Sequence, residues 1–271
     1  MTRIHPTSIV DPRAELASDV EIGPYSVVEA DVTIAAGCRL GPHVHVQGTT
    51  VIGRGTTVGA GTVLGAPPQH VAYDGTPRRL EIGRDNVIRE HSSIHGSFVD
   101  GGATRLGDGC FVMAQAHIGH DTVVDDGAVI STGALISGHC HIGAGAIISG
   151  PVGIHQFVRV GRLAMVGGLS RVVQDIPPFV VAEGHPTRIR ALNVVGLRRA
   201  GVGADERSEL KRVFRELYRG DLPLRAALTQ LSGRAPGPLA HELLSFYRGP
   251  SERGYTSFAV YGSKPDAGDT P

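Results

Sequence analysis

An aliphatic residue occupies every sixth position through most of the first two thirds of this 271-residue chain. One unbroken series spans residues 4–64, another spans 106–172, and three further hits lie between them, all in one phase of the numbering. Small or β-branched side chains dominate four residues after each hit. A period of six fits neither a helix nor a free strand, and it is typical of a hexapeptide-repeat β-helix. We therefore predict an all-β solenoid, a parallel β-helix with 18 residues per triangular coil.

Two stretches rich in proline, glycine and polar residues break this pattern, at about 66–79 and 95–105. Such interruptions are typical of loops that leave the solenoid, often on its binding face. After about residue 182 the period of six gives way to helical spacing. We predict a β-helix over 1–182 and a helical region over 183–261. Its helices are expected at 191–199, 204–219, 223–231 and 238–248, and a disordered tail at 262–271.

Composition narrows the class of protein. Aromatic residues make up only 5% of the chain and tryptophan is absent, so stacked aliphatic side chains must form the core. The formal net charge of zero argues against a dedicated nucleic-acid or anionic-membrane binder. No apolar run is long enough to span a membrane, and the N-terminus lacks a signal-like apolar segment. The three cysteines occupy small-residue positions of the repeat and are expected to be buried thiols. We expect a cytoplasmic protein.

Histidines recur along one edge of the predicted coils. His120 lies 18 residues before Gly138, the neighbour of His139, and 36 residues before Gln156, the neighbour of His155. His117 lies on the same coil as His120. Stacking on successive coils would gather these side chains at one azimuth. A polar ladder facing solvent is the alternative interpretation, and for His117 alone a structural role is favoured.

A positioned neutral imidazole is the usual general base near neutral pH. Asp121 could orient His120, although neighbouring residues of an extended chain point to opposite faces. The Gly138 N–H, one coil above, could stabilise an oxyanion. Without an evident serine or cysteine acyl carrier, direct acyl transfer between two bound substrates is the natural chemistry. Two alternatives are a zinc hydratase, whose three-histidine spacing fits poorly, and a non-catalytic trimeric scaffold.

Several stretches closely resemble the UDP-N-acetylglucosamine acyltransferases of lipid A biosynthesis, in order and over about residues 4–220. They are 113–121 (Met-Ala-Gln-Ala-His-Ile-Gly-His-Asp), 138–139, 154–157, 165–168 and 175–184. The resemblance implies a left-handed β-helix with a small C-terminal α-helical domain, assembled as a homotrimer with active sites between subunits. It also implies transfer of an (R)-3-hydroxyacyl chain from acyl carrier protein to the 3-hydroxyl of UDP-N-acetylglucosamine, the first step of lipid A biosynthesis, without a cofactor or metal.

By this resemblance His120 is the general base, Asp121 supports it and the Gly138 N–H stabilises the oxyanion. Gly168 matches a position that limits acyl length, and its missing side chain suggests a longer chain. Arg199 matches an arginine that holds the nucleotide phosphates, a task suited to its fork of donors; a solvated helix charge is the alternative. The full set of substrate-binding candidates is His70, Tyr73, His95, His117, His139, His155, Gln156, Gly168, Asn193 and Arg199.

Departures from the family pattern concentrate on the acceptor side. The family typically reads Gln-Asp-x-Lys-Tyr in the first loop, where this chain places His70 and Ala72 at the acidic and lysine positions. Gly96 replaces an arginine, Val195 a glutamate and Ala200 a second arginine. A site that loses hydrogen-bonding groups loses affinity for the matching hydroxyls. An alternative is therefore a paralogue with the same chemistry on another nucleotide sugar, an amino sugar or a secondary-metabolite scaffold.

Overall fold

A computed structural model describes residues 1–76, 78–234 and 236–259, and it forms a three-sided prism of short strands followed by helices. In chain order the strands are β1 (Arg3–Ile4), β2 (Ile9–Val10), β3 (Glu15–Leu16), β4 (Glu21–Ile22), β5 (Val27–Val28), β6 (Val32–Ile34), β7 (Arg39–Leu40), β8 (His45–Val46), β9 (Thr49–Ile52), β10 (Thr57–Val58), β11 (Val63–Ala66), β12 (Arg79–Ile82), β13 (Val87–Ile88), β14 (Ser93–His95), β15 (Thr104–Leu106), β16 (Phe111–Val112), β17 (His117–Ile118), β18 (Val123–Val124), β19 (Val129–Ile130), β20 (Leu135–Ile136), β21 (His141–Ile142), β22 (Ile147–Ile148), β23 (Gly153–Ile154), β24 (Arg159–Val160), β25 (Met165–Val166), β26 (Arg171–Val172), β27 (Val180–Glu183) and β28 (Arg188–Leu192).

Strands β1 to β26 are distributed in turn over the three faces, and each strand from β1 to β23 pairs in parallel with the strand three places later in the chain. Most paired residues are 18 positions apart, as for His117 and Leu135. Across the first excursion Ile52 pairs with Ile82, 30 positions on, and across the second Ile88 pairs with Val112, 24 positions on. The loops therefore add twelve and six residues. Because both lengths are multiples of six, the hydrophobic phase survives them.

The in-phase aliphatic residues fill the interior of the prism. Ile52, Ile88, Ile118 and Ile142 are between 0 and 1% exposed, and the stack is contiguous from end to end. The first coil has no neighbour on one side, and Ile4 is accordingly 45% exposed. Each coil thus buries its apolar face only against adjacent coils, as the period of six predicts.

Many corners of the prism use a residue with left-handed backbone. Positive φ angles recur at one fixed place in the hexad, for example at Asp85, Gln115, Asp121, His139 and Phe157, where φ lies between 55° and 67°. Side chains other than glycine adopt this conformation at some energetic cost. At a corner the chain changes direction, so consecutive side chains no longer alternate between opposite faces.

Beyond the coils, β27 pairs with β25 and β28 returns antiparallel to β27. The helices are α1 (Val194–Arg199), α2 (Ala204–Arg219), α3 (Leu224–Ser232) and α4 (Pro238–Phe246). The prediction of a helix from residue 191 is wrong at its start. Residues 188–192 form a strand, and Asn193 caps α1 by accepting a hydrogen bond from the Gly196 N–H. The predicted last helix likewise stops at 246 rather than 248.

Helix α2 packs its predicted apolar stripe inward: Leu210, Val213, Phe214 and Leu217 are buried. On the prism side, the Arg162 guanidinium forms a bidentate pair with the Glu242 carboxylate of α4. The three cysteines are free and buried, which confirms the prediction of thiols. No helix in the described part of the chain is long and apolar enough to cross a membrane. The predicted tail at 262–271 lies outside the described residues.

Candidate active site

A corner of the prism brings His120 and Asp121 together. Asp121 has a φ of 57°, and this turn directs both side chains to the same side of the coil. The Nδ1 of His120 lies 2.8 Å from the Asp121 carboxylate. Because a carboxylate can only accept, Nδ1 carries the proton and Nε2 keeps a free lone pair. The contact that strand alternation left uncertain is therefore made, and the pair has the arrangement of an oriented general base.

The second excursion surrounds the Asp121 carboxylate with donors. Ser97 donates its hydroxyl to Oδ1, and the backbone N–H groups of Phe98 and Val99 donate to the two oxygens at 2.9 and 3.3 Å. Burial by itself would raise the pKa of Asp121, but hydrogen bonds from His120, Ser97 and the two amides outweigh it and hold that pKa well below its usual range. Asp121 is thus a carboxylate at any physiological pH.

Gly138 lies directly against the His120 ring. A Cβ atom at position 138 would stand 2.7 Å from Nε2 of His120, closer than carbon and nitrogen can approach. Among the described residues nothing accepts a hydrogen bond from the Gly138 N–H. Prolines occupy equivalent corner positions at 12, 24 and 42, where an N–H is also dispensable for the ladder. At Gly138 a free N–H adjoins a base, which is the arrangement an oxyanion donor needs.

These groups line a cavity of about 530 Å³ between the coils and the first excursion. Histidines supply much of its polar wall. The lining also includes residues that were not predicted to belong to the site, such as Gln69 and Leu135. The complete lining is Gln69, His70, His95, His117, Gly119, His120, Leu135, Ile136, Ser137, Gly138 and Gln156.

Two of these histidines are held neutral. The Nδ1 of His95 lies 2.5 Å from the Pro67 carbonyl, so it carries the proton and Nε2 remains an acceptor. Burial lowers the pKa of His95, and burial together with the nearby imidazoles lowers the pKa of His117 to about 4. The Nδ1 of His117 is 2.9 Å from the Ser93 hydroxyl. The cavity therefore offers uncharged hydrogen-bonding groups suited to hydroxyls.

The first excursion contributes His70 through an aromatic stack. His70 stacks on Phe98 with ring centroids 4.2 Å apart and meets His120 edge-on at 5.8 Å. Its Nδ1 accepts a hydrogen bond from the Ala72 N–H at 3.2 Å, which assigns the ring proton to Nε2. At the position where the family pattern has an acid, the cavity thus carries an N–H donor.

His139 lies behind the pair rather than in the cavity lining. Its ring meets His120 at 5.0 Å and stacks on Phe157 at 4.8 Å, and its Nε2 is 3.8 Å from the Asp121 carboxylate. Burial lowers its pKa although Asp121 opposes this. One ligand atom each from His120, Asp121 and His139 falls within 4.8 Å of the others, a spacing that can hold a metal ion. Asp121 already accepts the proton of His120 in this group.

Other predicted site residues are not gathered around His120 in the single chain. Tyr73 donates to the Thr76 carbonyl at 2.8 Å and accepts from Arg78, so its hydroxyl is used within the first excursion. His155 lies beside the cavity, with Nδ1 3.2 Å from the Gln156 carbonyl. Three more lie outside the lining: Gly168, Asn193 and Arg199.

Asn193 and Arg199 belong to the α1 region. Asn193 is 6% exposed, and its side chain both caps α1 and donates to the Leu163 carbonyl at 2.8 Å. Arg199 is exposed in the last turn of α1. Asn193 therefore has a structural role in this chain, whereas the Arg199 guanidinium is available to a ligand or to a second subunit.

Comparison with known proteins identifies close relatives. A family model described as Udp N-acetylglucosamine O-acyltransferase, Domain 2, matches residues 175–256, and the bacterial transferase hexapeptide model matches 31–66 and 103–138. The acyl-[acyl-carrier-protein]–UDP-N-acetylglucosamine O-acyltransferase of Burkholderia orbicola is 50% identical over 85% of this chain and 88% of its own. The Synechocystis enzyme of the same name is 43% identical over 74% of this chain and 72% of its own.

Solved structures agree with the sequence relatives. The UDP-N-acetylglucosamine O-acyltransferase of Moraxella catarrhalis superposes with a TM-score of 0.89 at 36% identity, covering 93% of this chain and 99% of that one. The left-handed parallel β-helix with a helical C-terminal region, predicted from the repeats and the resemblance, is confirmed.

Proposed function

This chain belongs to the UDP-N-acetylglucosamine O-acyltransferase family, and on that premise we propose that it acylates UDP-N-acetylglucosamine. The acyl donor is an (R)-3-hydroxyacyl thioester of acyl carrier protein, and the acceptor is the sugar 3-hydroxyl. This is the first step of lipid A biosynthesis, and the three free thiols fit a reducing, cytoplasmic setting. The observation that carries the proposal is His120, oriented by Asp121 and adjacent to Gly138, whose N–H has no acceptor among the described residues.

The chemistry follows from these three groups. Nε2 of His120 takes the proton of the sugar hydroxyl as its oxygen attacks the thioester carbonyl. The carbonyl oxygen gains negative charge, which the Gly138 N–H stabilises. When the carbon–sulfur bond breaks, the imidazolium returns its proton to the leaving thiolate. Asp121 stabilises the transient imidazolium without taking the proton, because the donors around its carboxylate keep it ionised.

A homotrimer is part of the proposal. Arg199 is exposed and lies outside the His120 cavity of its own chain. Exposed apolar side chains accompany it on α1: Val194 is 45% and Val195 48% exposed. If α1 packs beside the cavity of a neighbouring subunit, Arg199 can reach the nucleotide phosphates and the valines become covered. Sedimentation should then show three copies, and Arg199→Ala should raise KM for the nucleotide sugar.

The two candidate functions differ in the acceptor substrate. His70 presents an N–H where the family pattern has an acid, and this observation favours testing the paralogue alternative directly. Purified enzyme is incubated with (R)-3-hydroxyacyl carrier protein and a panel of UDP-N-acetylglucosamine, its 3-amino analogue and other nucleotide sugars. Mass spectrometry should identify a mono-O-acylated UDP-N-acetylglucosamine, and that ligand should also raise the melting temperature.

Each outcome assigns one function. Acylation of another acceptor, without turnover or stabilisation by UDP-N-acetylglucosamine, would support the paralogue. Turnover abolished by a chelator and restored by zinc would support metal chemistry at the His120, Asp121 and His139 group. If no acyl group is transferred from any donor to any acceptor, the result would support the non-catalytic trimeric scaffold.

A further inference from the structure

We propose that Ser97, in the loop between β14 and β15, is a positioning residue that sets the orientation and basicity of the His120–Asp121 pair. It acts through the Asp121 carboxylate and need not touch substrate. The inference rests on the proposed function for its kinetic readout. Nothing in the period of six points to Ser97, because it lies in the second excursion, outside the repeat.

The hydroxyl of Ser97 is buried and committed to Asp121. Ser97 is 3% exposed, and its Oγ lies within hydrogen-bonding distance of both the Asp121 carboxylate and the Val99 carbonyl. A hydroxyl has one proton, and the carboxylate is both nearer and charged, so the proton goes to Asp121. The Val99 and Phe98 amides complete a set of three donors from one loop.

Backbone hydrogen bonds hold the loop that carries these three donors in place. The Ser97 N–H donates to the Arg79 carbonyl and the Gly96 N–H to the Ala66 carbonyl, each at 3.0 Å. On the far side of the loop, Thr104 accepts the Asp121 N–H at 2.8 Å. Both the backbone and the carboxylate of Asp121 are therefore held by the second excursion. These hydrogen bonds explain why Ser97 is buried although it lies in an interruption of the repeat.

Removing the Ser97 hydroxyl should change the stability of the His120 imidazolium in one direction. The Ser97 hydroxyl and the His120 Nδ1–H share the same carboxylate. Without the hydroxyl, more of the carboxylate charge acts on the imidazole, so the imidazolium form becomes easier to make. The titratable groups facing His120 from all packed elements are Asp121, His139, His70, His95 and His117. Of these five groups, Asp121 alone has a hydrogen bond from the Ser97 hydroxyl in the described part of the chain, so a change at Ser97 acts on His120 through Asp121.

The test compares Ser97→Ala with Ser97→Thr in the full-length enzyme. Ser97→Ala should lower kcat about tenfold with KM changed less than twofold, since one hydrogen bond to a charged group is lost. The acid limb of the kcat/KM profile should move to higher pH. Ser97→Thr keeps the hydroxyl and should restore both values. The matched control is Ser92→Ala, which removes a buried serine hydroxyl bonded to the Met113 carbonyl, away from the pair.

Two results would overturn the proposal. One is a Ser97→Ala enzyme with wild-type kcat and pH profile; the other is a loss that Ser92→Ala reproduces or that Ser97→Thr fails to restore. Titration of the His120 ring by NMR gives a readout that needs no turnover. If the wild-type protein transfers no acyl group, the proposed function fails, yet an upward shift of the His120 midpoint in Ser97→Ala would still support the positioning role. An unchanged midpoint would reject it.

Discussion

The interior of the prism and the two excursions are built on opposite rules. Inside, equivalent positions recur with each coil and carry aliphatic side chains; Ile118 and Ile142 are both almost fully buried. The excursions contain no repeat, and several of their polar groups have a particular partner, such as Ser97 with Asp121 and His95 with Pro67. The repeat supplies stability, a positioned general base and most of the cavity wall, whereas the loops supply donors, aromatic contacts and the rest of that wall.

The largest expected effect is on chemistry at the repeat itself. His120→Ala should reduce kcat at least ~100-fold, because a positioned general base contributes about 10²–10⁴ in rate. The melting temperature should change little, since the ring contacts the cavity rather than the aliphatic stack. Initial rates with saturating donor and acceptor measure the loss. An activity close to wild type would remove His120 from the mechanism.

The stability contrast between the regions comes next. Ile142→Ala should destabilise the protein by about 2–5 kcal/mol, as expected for truncating a fully buried isoleucine. The control is Val71→Ala in the first excursion, where the side chain is fully exposed. This substitution should change the free energy of unfolding by no more than about 0.5 kcal/mol. Denaturant unfolding compares the two. Equal losses would contradict the division into a stabilising interior and a functional loop.

Gly138→Ala should cost about 10- to 100-fold in kcat. The added methyl would stand 2.7 Å from Nε2 of His120, so the ring or the coil must shift from the geometry of a reactive base. Circular dichroism and a melting curve serve as the control for folding. If the variant melted far below wild type, the loss of kcat would be due to a disrupted coil. If it kept full activity, the close approach of Gly138 to His120 would be irrelevant to catalysis.

The smallest effect is a pH dependence of stability from the cavity histidines. The pKa of His117 is about 4 in the folded chain against an ordinary 6.5, so the unfolded chain binds more protons between these values. Stability therefore falls as the pH drops from 6.5 towards 4. His117→Gln should remove about 1 kcal/mol of this loss between pH 7 and 5, allowing for partial exposure. Identical pH dependence in both proteins would show that His117 is not held neutral by folding.

The sequence predicted the parts of the site that repeat. Counting in eighteens placed Gly138 beside His120 and Gln156 in the same cavity, because coil geometry fixes those positions whatever the side chains are. It left the His120–Asp121 contact open, since strand alternation argues against it. The deciding feature is the left-handed corner at Asp121, which recurs at a fixed place in the hexad and could have been sought there.

What the sequence missed depends on loop closure. Ser97 and Phe98 are brought to Asp121 by the path of the second excursion, and no periodic rule assigns that path. The start of α1 was misplaced for a related reason. Residues 191 and 192 are predicted to begin the helix, but pairing with β27 makes them the end of strand β28.

A double-mutant cycle between Ser97 and His120 tests most directly whether the second excursion serves the base. The kcat values of wild type, Ser97→Ala, His120→Ala and the double variant are measured under the same saturating conditions. If Ser97 acts only through the pair, the double variant should match His120→Ala within about twofold, because a lost base cannot be misplaced. A further tenfold fall from His120→Ala to the double variant would contradict this, since Ser97 would then act independently of His120.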